Sequence, residues 1–192
     1  MKTIYICGLQ RSGSTACFNI VRLLFEHANL PTYAAYIADY QPDLKADIHI
    51  VKGHGLPEPL IERMAETGKS VADFGFTFLT SHRDLRDAAA SAVRMGWVSD
   101  TNAADYIGRE FDRYLETVPH SVLDVKYETF RTDPTRVIKD VGKAIGLAVT
   151  DDAAHQVQAK LEIMAKTKTT DEEYDKTTLL LKNHIGSGDI GV

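Results

Sequence analysis

Cysteine is scarce: the 192 residues hold two, Cys7 and Cys17, and no Cys/His spacing resembles a zinc site. A disulfide-stapled scaffold and a zinc module are thereby excluded, and two inert thiols in a reducing compartment are expected. Cys17 falls in the first turn of an expected helix, where a thiol pKa can be lowered, but the inert reading is the one taken. No stretch reaches the roughly 18 apolar residues that cross a membrane. The opening Lys-Thr-Ile-Tyr-Ile-Cys run is too short for a signal-peptide core. A cytoplasmic location without membrane contact is the expectation. Positive charge is also in deficit, with 22 Lys and Arg against 27 Asp and Glu and a net charge of -5. That argues against nucleic acid as a partner and leaves room for a small anionic ligand held by a local basic cluster.

What is present suits an ordinary soluble domain: 44% hydrophobic and 26% charged residues. A chain of this length buries about 70% of its unfolded surface, so one domain over residues 1–192 needs no staple. Residues 3–7, 48–51, 74–80 and 122–125 are β-branched or aromatic runs and read as four strands. Helical spacing follows each. Phe18, Val21, Leu24 and Phe25 recur after Thr15, and Leu60, Ile61, Met64 and Ala65 recur between Pro57 or Pro59 and Gly68. An alanine-rich helix runs from Asp84 to Gly96. Asp100 is placed as the cap of a helix carrying Ile107, Phe111, Tyr114, Leu115 and Val118. Asp133-Pro134 opens a helix with Val137, Ile138, Val141 and Ile145, and Val157, Leu161, Met164 and Ala165 suggest one more.

Alternating strands and helices imply an α/β fold, a three-layer α/β/α arrangement around a central parallel sheet. Ligands of such sheets sit beyond the carboxyl ends of the strands. That rule gathers three segments at one edge. Gly8-Leu-Gln-Arg11-Ser-Gly-Ser-Thr15 has the glycine spacing of a phosphate loop, with Ser14 where a lysine would stand. A strand, a glycine turn and a helix start make an anion cradle. Ser12, Ser14 and Thr15 add hydroxyls and Arg11 a planar cation. Lys52 and His54, two apart in an extended segment, project to one side. Arg83 ends the third strand, and Ser91 lies two helical turns further on. Arg86 and Asp87 read as surface ion pairs, and His82 as a packing residue. Tyr33, Tyr36 and Tyr40 form an aromatic run that could wall an acceptor site, as could Trp97.

The three segments, in this order, resemble the sulfotransferases that use 3′-phosphoadenosine 5′-phosphosulfate. That family's P-K-S-G-T-T loop is similar to Gln10-Arg-Ser-Gly-Ser-Thr15, its K-x-H element to Lys52-Gly-His54, and its R-[DN]-P-x-D-x-x-x-S element to Arg83…Ser91. Tyr127-Glu128 matches the family's Y-E pair, and residues 182–189 are similar to its glycine-rich closing loop. Ala16 stands where many members carry an adenine-stacking tryptophan, and Leu85 replaces a proline.

The resemblance implies a P-loop NTPase-like sulfotransferase fold and transfer of a sulfuryl group to a hydroxyl or amine of a small-molecule acceptor. It makes His54 the general base, with Lys52 and Arg11 stabilising the transferring group. Residues Arg11, Ser12, Gly13, Ser14 and Thr15 would hold the 5′-phosphate, and Arg83 and Ser91 the 3′-phosphate. Tyr127, Lys182 and His184 would complete the nucleotide site, with no metal expected. Two alternatives stay open: a P-loop nucleotide or small-molecule kinase, and a non-catalytic 3′-phosphonucleotide-binding module.

Overall fold

The computed structural model describes residues 2–166 and 175–180. It begins with β1 (Lys2–Ile6), α1 (Ser14–His27), β2 (Thr32–Tyr36), β3 (Ile48–Lys52), α2 (Glu58–Thr67) and β4 (Phe76–His82). Then come α3 (Leu85–Arg94), α4 (Ala103–Thr117), β5 (Ser121–Lys126), α5 (Tyr127–Thr132), α6 (Pro134–Ile145) and α7 (Asp151–Lys166). All five strands are parallel, in the order β2-β3-β1-β4-β5.

The two-residue period of a strand divides the core into two faces. Ile4, Ile6, Ile50, Leu79 and Val125 pack with α1, α6 and α7 on one face. Tyr5, Cys7, Val51 and Phe78 pack with Leu60 of α2 on the other, beside a smaller cluster of Leu9, Ala88 of α3 and Ile107 of α4. No described helix is long and apolar enough to cross a membrane.

β1 is the hinge of the topology. The chain builds β2 and β3 on one side of it, then crosses to add β4 and β5 on the other. The crevice of an open α/β sheet lies at such a reversal, and the loop after β1 sits there. Register brings its neighbours level: Ile6 pairs with Lys52 and with Leu79, and His82 pairs with Lys126.

The structure corrects several expectations. A fifth strand, β2, takes in Tyr33 and Tyr36. Its Ala-Ala centre gives it no long apolar run, and only Ala35 is fully buried, as befits an edge strand. β4 starts two residues later than expected because Gly75, at φ 79°, ends a single 3₁₀ turn over Ala72–Phe74. His82 is thereby the last residue of β4. Asp100 caps nothing: it lies inside the 3₁₀ turn Asp100–Asn102 that precedes α4. Leu115 leaves the expected stripe and is 49% exposed. The caps of α6 are as read, Asp133 accepting the Arg136 N–H at 3.1 Å and Gly146 ending the helix at φ 84°.

Candidate active site

Backbone geometry shapes the loop after β1. The Leu9 N–H donates to the Ser81 carbonyl at 3.1 Å and the Ser81 N–H to the Cys7 carbonyl at 3.2 Å, so the loop leaves the sheet only after Leu9. Arg11 then takes a left-handed φ of 65° and Gly13 one of 86°. Gly13 has a second constraint, since a Cβ there would lie 2.7 Å from Cδ2 of Tyr127. α1 starts at once. No side chain caps it and no acidic residue occupies its first turn, so its open N–H groups keep their positive end for an anion.

Ser12 contributes less than its place in the motif suggests. Its N–H donates to the Leu9 carbonyl at 3.2 Å, and its buried hydroxyl lies 2.7 Å from that of Ser81. Its N–H is thus engaged in closing the loop on itself, and its hydroxyl ties the loop to β4. Gly13, Ser14 and Thr15 at the start of α1 are left as the cradle.

Three cations surround this loop, and all are mostly buried. Arg11 donates from Nε to the hydroxyl of Ser91 at 3.0 Å and lies 4.9 Å over the ring of Trp97. Ser91 keeps its own O–H to donate. Lys52 is 6% exposed, its Nζ 5.4 Å from the centre of the Tyr36 ring. The His54 ring lies 6.1 Å from the same ring, so Tyr36 neighbours both the lysine and the histidine. Arg83 is 8% exposed, stacks 4.5 Å over Tyr127, and has an Nε without a partner among the described residues.

The cations act on one another. Burial, and then the charge of Arg11, pulls the Lys52 ammonium down to a pKa of about 8. Burial, and then the charge of Arg83, lowers the Arg11 guanidinium from its usual value. Among the described residues, Asp87 alone is a carboxylate at ion-pair distance from any of the three, 3.8 Å from Arg83. This revises the surface role expected of Asp87, whose side chain is only 13% exposed. Arg86 turns instead to Asp84, at 3.1 Å in solvent.

Not every expected residue joins the site. Tyr33 and Tyr40 stack on each other and enclose the buried His49, whose Nδ1 lies 2.9 Å from the Tyr40 hydroxyl. Only Tyr36 of that aromatic run faces Lys52 and His54. Cys17 is buried, and burial pushes its thiol up to about 12, away from reactivity. Lys182 and His184 lie outside the described residues. Sequence reasoning missed Ser81, which pairs with Ser12, and Asp124, which binds His82. The partners lie far apart in the chain and carry no shared motif. Among the described residues no group of three or more His, Cys, Asp or Glu could hold a metal.

The sequence matches no family model and, at a significant level, no curated protein. Solved structures do resemble it. Mouse sulfotransferase SULT7A1 complexed with PAP superposes with a TM-score of 0.69 at 15% identity, over 99% of this chain and 76% of that one. Retinol dehydratase with retinol and PAP gives a TM-score of 0.60 at 16% identity, over 100% and 75%. Its complex with androsterone and PAP gives 0.55 at 17% identity; this chain is covered to 84% and spans 65% of that one, under two thirds of its length. The chain therefore has the sulfotransferase form of the P-loop α/β fold.

Proposed function

We propose that this protein is a sulfotransferase that moves a sulfuryl group from 3′-phosphoadenosine 5′-phosphosulfate to a hydroxyl or amine of a small acceptor. The observation that carries the reading is the charge balance. Lys52 and Arg83, both buried, and the half-buried Arg11 gather around one glycine loop and, among the described residues, are answered by a single carboxylate at 3.8 Å. Buried charges need partners. A nucleotide bearing a 5′-phosphosulfate and a 3′-phosphate supplies the missing negative charge at two places. The solved neighbours with PAP bound lend support, as do the androsterone and retinol in retinol dehydratase for a small acceptor. A cytoplasmic location accords with this donor.

The residues divide the work. The N–H groups at the start of α1 hold the 5′-phosphate. Arg83 and Ser91 hold the 3′-phosphate, and Tyr127 positions Arg83 by stacking. His54 accepts the acceptor's proton as the bond from sulfur to the acceptor oxygen or nitrogen forms. The bond from sulfur to the 5′-phosphate oxygen breaks in the same displacement. Lys52 and Arg11 offset the charge that develops on the transferred group and on the departing phosphate. General-base catalysis contributes roughly 10²–10⁴ in rate.

The test is transfer of labelled sulfate from the donor to a panel of phenols, alcohols and amines. Wild type is expected to label an acceptor, and His54→Ala to lose about 10²–10⁴ of the rate while keeping its affinity for 3′,5′-diphosphoadenosine. Unchanged turnover in His54→Ala would remove the histidine from the mechanism. Nucleotide binding without transfer to any acceptor would leave a binding module instead.

A further inference from the structure

Next to the nucleotide clamp lies a cleft of about 870 Å³, lined among others by Leu9, His82, Arg83, Phe111, Tyr114 and Lys126. Its size suits a small organic ligand. His82 is the one imidazole on its wall, and three elements fix it there. Nδ1 of His82 lies 2.7 Å from Oδ2 of Asp124 on β5. The same carboxylate oxygen accepts the hydroxyl of Tyr114 on α4 at 2.6 Å, and Oδ1 accepts that of Thr80 at 2.8 Å. A carboxylate beside Nδ1 restricts the orientation of the ring. It leaves Nε2, on the far side of the ring, for whatever enters the cleft. The side chain is 34% exposed and lines the cleft.

The charges on the cleft wall are nearly all spoken for. Arg83, Arg86 and Lys126 are balanced on the cleft wall by Asp84, Asp87 and Glu128. Two of those carboxylates already serve the protein. Asp84 chelates Arg86 and caps α3, and Glu128 accepts the Asp84 N–H at 3.1 Å. Arg83, nine-tenths buried on the same wall, offers an Nε with no partner among the described residues. The imidazole of His82 shares the wall with that unused donor.

We infer that His82 is a further ligand of the 3′-phosphate, donating from Nε2 beside Arg83 while Asp124 holds Nδ1. The inference rests on the sulfotransferase reading and adds to it a residue that the Arg83…Ser91 element does not contain.

Calorimetric titration of the protein with 3′,5′-diphosphoadenosine and with 5′-AMP tests it, in wild type and in His82→Ala, His82→Gln and Asp124→Asn. His82→Ala is expected to bind the bisphosphate about 10- to 100-fold more weakly, the worth of a hydrogen bond to a charged group. Its affinity for 5′-AMP should be unchanged. Asp124→Asn should reproduce part of that selective loss. Equal losses for both nucleotides, or a bisphosphate affinity within twofold of wild type, would overturn the role of His82 and leave the sulfotransferase reading intact. If His82→Ala does not fold, the same comparison in His82→Gln decides. A wild-type protein that binds the two nucleotides equally would defeat both readings.

Discussion

The two sides of the site are charged alike but balanced differently. On the β3 side, Lys52 is buried against the ring of Tyr36, and Arg11, half-buried, reaches from the loop after β1 to Ser91 and Trp97; neither has a carboxylate in ion-pair distance among the described residues. On the β4 side, Arg83 has Asp87 and His82 has Asp124. On the proposed function, the first side is left unfavourable until an anion arrives, and so would suit the stabilising of charge that develops during transfer. The second is prepaired, its geometry fixed beforehand, and so is suited to discriminating one nucleotide from another.

Lys52 gives the sharpest way to break this contrast. Its folded-state pKa of about 8 lies below the usual lysine value. The unfolded chain therefore binds more protons between about pH 8 and 10.5, and stability should rise with pH across that window. Below pH 8 the penalty stands in full, of the order of 3 kcal/mol at about 1.4 kcal/mol per pH unit. Lys52→Met should thus melt higher than wild type at pH 7 and lose the slope above pH 8, while losing sulfuryl transfer. A variant that melts lower, or keeps the slope, would mean that Lys52 is already compensated. Saturating 3′,5′-diphosphoadenosine should reduce the wild-type slope, because a bound anion restores the lysine's affinity for its proton.

A smaller effect is expected where the two sides join. Gly13 sits at φ 86° against Tyr127, the ring on which Arg83 stacks. Gly13→Ala introduces left-handed strain of about 1–2 kcal/mol, to be read as a melting temperature lower by roughly 2–8 °C. The displaced Tyr127 should also weaken binding of 3′,5′-diphosphoadenosine more than of 5′-AMP. A loss common to both nucleotides would show that the tyrosine supports the loop alone.

Local features were legible in the sequence because their causes are local. Gly8 and Gly13 announce the turn, Asp133-Pro134 the start of α6, and Gly146 its end. The apolar periods of α1 and α6 are set by neighbours one turn away. Pairings across the sheet were not legible. Thr80 meets Asp124 because parallel register sets them level, and Ser12 meets Ser81 because the loop after β1 folds back along β4; no spacing in the chain announces either. The Tyr33–Tyr40 run misled for the same reason: two of its rings serve His49, which pairs with Tyr33 across the sheet and bonds the Tyr40 hydroxyl. Asp87 reads as a surface ion-pairing residue, whereas the buried Arg83 at the strand end draws it inward.

The measurement that bears most directly on the proposed site is a thermal shift with 3′,5′-diphosphoadenosine set beside ATP with Mg²⁺. A ligand at 100 times its Kd stabilises by about 2.7 kcal/mol, which for a chain of this length corresponds to roughly 5–11 °C. The bisphosphate is expected to give a shift of that size and ATP with Mg²⁺ little or none. A shift with ATP and none with the bisphosphate would contradict the account and make this a nucleoside triphosphate site that lacks its lysine.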